Sequence, residues 1–133
     1  MMKFEYQEMF PIGKDTTEYR LLTKEHVTLK SFEGNEIVTI TSEGITLLVE
    51  QAFTDVAFLL RSSHLELLAR ILKDPESTGN DKYVALEMLK NVVISSDMVF
   101  PMCQDTGTAI VMGKKGHQVW TGFSDETAIS KGV

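Results

Sequence analysis

Between Ser42 and Leu60 the apolar residues Ile45, Leu48, Val49, Ala52, Phe53, Val56, Ala57 and Leu60 recur at i, i+3, i+4, i+7, i+8, i+11, i+12 and i+15. A strand alternates with a period of two, so only a helical backbone gathers these positions on one face, and the spacing predicts one long helix. Leu47, Phe58 and Leu59 fall off the stripe, which predicts packing on more than one side of that helix.

Further helical segments come next. Ser63 with Glu66 reads as a capping box, and Leu65, Leu68, Ala69 and Leu72 keep helical spacing until Asp74-Pro75 stops the pattern. Beyond the polar loop Glu76-Ser77-Thr78-Gly79, Asn80 reads as the cap of a third helix lined by Ala85, Met88, Leu89 and Val92. These three helices are the expected core. Ahead of them, Tyr19–Thr23, His26–Leu29 and Glu36–Ile40 are short runs rich in β-branched residues, with a turn signal at Glu33-Gly34-Asn35. They predict an extended or β arm that packs on the downstream segments or on a second chain. After Ser95-Ser96-Asp97 the helical rhythm stops, and Met98–Met102 reads as extended. Ala109–Met112 and His117–Thr121 flank Gly113-Lys114-Lys115-Gly116, a β-hairpin signal, and Ser124 with Asp125-Glu126 opens another helix. That helix stops within two turns at Lys131-Gly132-Val133, as in a chain cut from a longer one. The expected class is α+β, mainly helical, in a single domain 1–133: an extended arm over 1–41, packed helices over 42–96, and over 97–133 a loop, a small hairpin and the start of a helix.

Charge and cysteine content narrow the function. Thirteen Lys and Arg against nineteen Asp and Glu leave a net charge of -6, the wrong sign for a phosphate backbone, so nucleic acid is not an expected partner. One cysteine, Cys103, can neither close an intramolecular disulfide nor make a structural zinc site alone. Met1–Lys14 has no apolar run after a basic patch, so neither a signal peptide nor a membrane span is expected, and the chain reads as cytoplasmic. His26, His64 and His117 share no metal-ligand spacing and read as surface or packing residues. Lys114 and Lys115 read as solvated hairpin-tip residues, since the sequence around them lacks the Lys-Ser/Thr ending of a phosphate loop. Met88, Met98, Met102 and Met112 read as core filling.

Cys103-Gln104-Asp105-Thr106-Gly107-Thr108 crowds a thiol, an amide, a carboxylate and two hydroxyls where an extended segment meets the expected hairpin. One reading is purely structural: Asp105 bonds backbone amides in a turn and Cys103 acts as a small hydrophobe. Another takes Asp105-Thr106-Gly107 as an aspartic-protease triplet, which would need a second copy from a dimer. That fold is almost all β, whereas roughly fifty residues of helical pattern precede this triplet.

A wider set of motifs favours a third reading. Pro101-Met102-Cys103-Gln104-Asp105-Thr106-Gly107-Thr108-Ala109-Ile110-Val111, then Gly113-Lys114-Lys115-Gly116 and Val119-Trp120-Thr121-Gly122, closely resembles the iron-sulfur-dependent, class I fumarate hydratases. Asp15-Thr16-Thr17-Glu18-Tyr19, Leu21-Leu22-Thr23, Phe32-Glu33-Gly34, Gln51-Ala52-Phe53 and Asn80–Leu86 also resemble the N-terminal region of that family. The likeness covers nearly the whole chain. It implies a hydro-lyase that adds water reversibly to fumarate to give malate, as a homodimer, with a 4Fe-4S cluster held by three cysteines. By the same resemblance Cys103 is the first cluster ligand, Gln104 hydrogen-bonds the substrate, and Asp105 takes part in substrate binding and proton transfer. The other two cysteines and the substrate-clamping arginines that the family requires are not in these 133 residues. The chain is therefore expected to be an N-terminal piece of the enzyme, inactive and without a cluster on its own. Tartrate-type dehydratase subunits share the core motif, and a non-catalytic helical assembly module is the remaining alternative.

Overall fold

The computed structural model describes residues 3–6, 18–103 and 107–133. The motif residues Asp15, Thr16, Thr17, Gln104, Asp105 and Thr106 lie outside the described residues.

A tight turn organises the arm. Glu33 and Gly34 both adopt positive φ, 48° and 79°, the conformation that a two-residue hairpin loop demands and that glycine takes without a Cβ penalty. The turn joins β1 (Val27–Phe32) to β2 (Asn35–Ile40), which pair antiparallel from Val27↔Ile40 to Phe32↔Asn35. The third strand, β3 (Val119–Trp120), joins the other edge of β2 in parallel, with Val38 opposite Val119 and the Val38 N–H donating to the Gln118 carbonyl at 2.8 Å. The hairpin expected around Gly113-Lys114-Lys115-Gly116 is thus not formed: residues 109–116 carry no strand, and His117–Thr121 delivers its β residues to β2. A ready edge with unpaired backbone groups, already built by the earlier hairpin, outcompetes an isolated two-stranded ribbon.

The long helix α1 (Ser42–Phe58) is capped by Thr41, whose hydroxyl accepts the Gly44 N–H at 3.2 Å. The same hydroxyl lies 3.1 Å from His26 Nδ1, and the backbone of Thr41 donates to the His26 carbonyl at 3.1 Å. His26 is a packing residue at the junction of sheet and helix. The apolar stripe divides in two. Ile45, Val49, Phe53 and Ala57 are covered, whereas Leu48, Ala52 and Val56 are exposed.

Helix α2 (Ser62–Lys73) begins ahead of the expected box, with Arg61 at the cap position, so Ser63 and Glu66 lie inside it. Helix α3 (Gly79–Ser95) is capped by Thr78 and not Asn80: the Thr78 hydroxyl accepts the Asp81 N–H at 3.2 Å and the Asp81 carboxylate accepts the Thr78 N–H at 2.9 Å. The Thr78 hydroxyl also donates to the Asp81 carboxylate at 2.7 Å, and this bond, with the one from the Thr78 N–H, holds the Asp81 carboxyl below its ordinary pKa. The two helices pack through Leu68 and Ala85, both buried, as their apolar stripes predict. Met88, Met98 and Met112 are exposed and do not fill the core.

Helix α4 (Asp125–Gly132) is capped by Ser124 as expected, and it packs on α1 as a full partner in the core. Ala128 and Gly132, one turn apart, are both buried against α1, and the Thr46 hydroxyl donates to the Ala128 carbonyl at 3.0 Å. A Cβ on Gly132 would stand 2.5 Å from the Thr46 carbonyl oxygen and 2.7 Å from Val49 Cβ. Backbone cannot rotate away from such a clash. Gly132→Val is expected to lower unfolding free energy by about 2–3 kcal/mol, the upper part of the overpacking range, measured by urea denaturation of the full-length protein.

Candidate active site

The end of α1 leaves carbonyls without an intrahelical donor, and such groups need partners from elsewhere in the fold. Asp55 O accepts the Leu59 N–H at 2.7 Å, completing the last regular turn. Ala57 O then accepts the Met102 N–H at 2.9 Å, and Phe58 O accepts the buried Ser95 hydroxyl at 2.9 Å. The segment after α3 therefore finishes α1. Ser95 also reaches the Val92 carbonyl at 2.9 Å, so its single proton is shared between two acceptors.

The other side of Met102 is fixed by α3. Asn91 Nδ2 donates to the Met102 carbonyl at 2.8 Å, across eleven residues of sequence. Between Ser95 and Met102 the chain reverses at Met98, which takes φ 62°, while its N–H donates to Ser95 O at 2.9 Å. Both backbone polar groups of Met102 are consequently tied to two different helices. The next residue is Cys103, a free thiol exposed at the surface.

Of the three residues expected to carry chemistry, the structure places Cys103, while Gln104 and Asp105 lie outside the described residues. Among the described residues no group of three or more His, Cys, Asp and Glu is gathered to hold a metal ion. A cysteine sulfur is nonetheless a chemically suitable donor for iron, and Cys103 is free and exposed.

Downstream of the motif, Lys115 is not a solvated tip residue. Its ammonium donates to the Asp125 carboxylate and, at 3.1 Å, to the Thr121 hydroxyl, tying the loop after the motif to the first turn of α4. The Lys115 hydrogen bond, aided by Thr121, holds the Asp125 carboxyl below the usual carboxylate range. Upstream, Arg20 Nη2 donates to both carboxylate oxygens of Asp55 in α1, at 2.9 and 2.7 Å, and Gln51 donates to the same carboxylate at 3.1 Å. Sequence reasoning missed the Asn91, Ser95 and Arg20 partnerships, because each joins residues far apart in the chain with no local spacing signal.

No helix among the described residues is long and apolar enough to cross a membrane. The family model described as "Fumarate hydratase (Fumerase)" matches residues 46–133. The chain is 55% identical over 98% of its length to the aerobic class I fumarate hydratase of Escherichia coli (strain K12), of which it covers 24%. It is 54% identical over 98% of its length to the anaerobic class I fumarate hydratase of the same strain, again covering 24%. Against the mitochondrial fumarate hydratase 1 of Leishmania major it is 50% identical over 92% of its length, covering 23%. It thus spans about a quarter of the length of these curated relatives. With the cysteine motif falling inside the matched region, the chain belongs to the class I fumarate hydratase family.

Proposed function

We propose that this chain is the N-terminal portion of a cytoplasmic, homodimeric fumarate hydratase, and that it contributes Cys103, Gln104 and Asp105 to the reversible hydration of fumarate to malate. The observation that carries this reading is the placement of Cys103, an exposed free thiol directly after a residue whose backbone is fixed by both α1 and α3.

Cys103 would be one of three thiolates around a 4Fe-4S cluster, with the others supplied by the rest of a longer polypeptide. When bound, such a cluster offers an iron with an open corner, a Lewis acid toward a hydroxyl and a carboxylate of the substrate. The protein residues do the remaining work. Gln104 carries an amide with two donors and an acceptor, suited to holding a substrate carboxylate in one orientation. Asp105 can accept a proton from the carbon next to a carboxylate and return it there in the reverse direction. Its closeness in sequence to the thiolate-bearing residue keeps it near the reacting atoms.

Extensive exposed apolar surface agrees with a part that is covered by more polypeptide. Leu29, Phe32, Val56, Val93 and Trp120 each leave more than 60% of their surface exposed. One thiol cannot hold the cluster, so residues 1–133 alone are inactive on this reading. Anaerobic reconstitution of the full-length protein with iron and sulfide should yield fumarate hydration, while purified 1–133 should yield none. Malate dehydration by the isolated 1–133, or full-length turnover of tartrate without fumarate, would overturn the reading.

A further inference from the structure

We propose that Asn91 is a positioning residue for Cys103, fixing where its Cα sits by clamping the carbonyl of Met102 from α3. The proposal rests on the reading of Cys103 as a cluster ligand. It goes beyond that reading by assigning a role to a residue outside the motif.

The geometry is specific. Met102 N–H is spent on the Ala57 carbonyl at 2.9 Å and Met102 O is spent on Asn91 Nδ2 at 2.8 Å. The N–H bond holds the Pro101–Met102 peptide and the carbonyl bond holds the Met102–Cys103 peptide, so the planes on both sides of Met102 are fixed, and with the second of them the position of the Cys103 Cα, which lies in that plane. The two anchors are independent, since Ala57 belongs to α1 and Asn91 to α3. They are held relative to one another by the buried Ser95, whose hydroxyl links α3 to Phe58 O. Loss of the α3 anchor would free the Met102–Cys103 peptide to turn even with the α1 anchor in place.

Asn91 is also poorly suited to a purely structural part. Its side chain and the hydrogen bond are exposed, where water replaces a lost partner at little cost to folding. Water does not replace orientation. A ligand that must meet iron at a fixed distance and angle loses affinity when its backbone can turn, so the effect should register on the metal and not on the melting of the protein.

The test uses the full-length protein, reconstituted anaerobically, in five forms: wild type, Asn91→Asp, Asn91→Ala, Lys90→Ala and Cys103→Ser. Asn91→Asp keeps shape but replaces the donor with an acceptor facing a carbonyl. Lys90→Ala alters the neighbouring exposed residue, which pairs with Glu87 on its own helix. The readout is the chelator concentration that halves the cluster's visible absorption, with thermal unfolding of the apoprotein followed in parallel. Both Asn91 variants should need roughly 3- to 10-fold less chelator, the equilibrium worth of about one hydrogen bond, with Asn91→Asp the more sensitive and unfolding unchanged. Lys90→Ala should match wild type. Wild-type retention in both Asn91 variants, or equal weakening by Lys90→Ala, overturns the positioning role. Retention of the cluster by Cys103→Ser would instead overturn the ligand reading beneath it.

Discussion

Full-length protein carrying Cys103→Ser will fail to hold a stable cluster and will lose more than ~100-fold of its fumarate hydration, because even outer partners of metal ligands cost 10- to 100-fold when removed and this change removes a ligand itself. Serine preserves the size of the side chain and the exposed position, so the loss will reside in the donor atom. A hydroxyl is a hard, weakly acidic donor, whereas a thiolate is soft and matched to iron. The surrounding clamp touches the backbone of Met102 and not the Cys103 side chain, so unfolding of the variant should follow that of wild-type apoprotein. Iron and sulfide analysis, taken with malate formation, measures both halves of this expectation. Wild-type iron content in the variant would show that Cys103 is no ligand.

Asp105→Asn should act differently, sparing the cluster and removing the proton carrier. General acid-base groups contribute about 10²- to 10⁴-fold, so kcat should fall within that range while iron content stays at the wild-type level. The amide can still hydrogen-bond substrate but cannot take up a proton near neutral pH. One limb of the pH profile of kcat should therefore disappear. A variant with wild-type kcat and an unchanged pH profile would return Asp105 to the structural reading of a turn residue bonded to backbone amides.

How much of this was legible in the sequence depends on the range of each interaction. The helices were readable because their signal is local: the stripe from Ile45 to Leu60 and the row Leu65, Leu68, Ala69 and Leu72 repeat within one or two turns. The depth of burial along α1 was not, because Leu48, Ala52 and Val56 satisfy the period as well as Val49 does, and tertiary partners such as α4, packed against Thr46 and Val49, decide which row is covered. Caps misled by small shifts of register. Ser63 and Asn80 have good capping chemistry, but Thr78 with Asp81 forms the complete reciprocal box that α3 uses. The hairpin failed for a tertiary reason, since Val119 and Trp120 find a waiting edge on β2. Ala128 and Gly132 did carry a usable cue, two small residues one turn apart on a helix that must approach another closely.

The kinship carried by the motif was readable, and the match of residues 46–133 to the fumarate hydratase family bears it out. Its support was not readable. Nothing in the spacing of Ala57, Asn91 and Met102 announces that two helices converge on the residue before Cys103.

The most direct measurement is alkylation of Cys103 by iodoacetamide in the intact protein, read by mass spectrometry under anaerobic conditions with and without the cluster. In the apoprotein the exposed thiol should be modified readily. In the cluster-loaded protein Cys103 should be protected until iron is stripped by chelator. Equal modification of Cys103 in both states, at full iron occupancy, would contradict its assignment as a ligand.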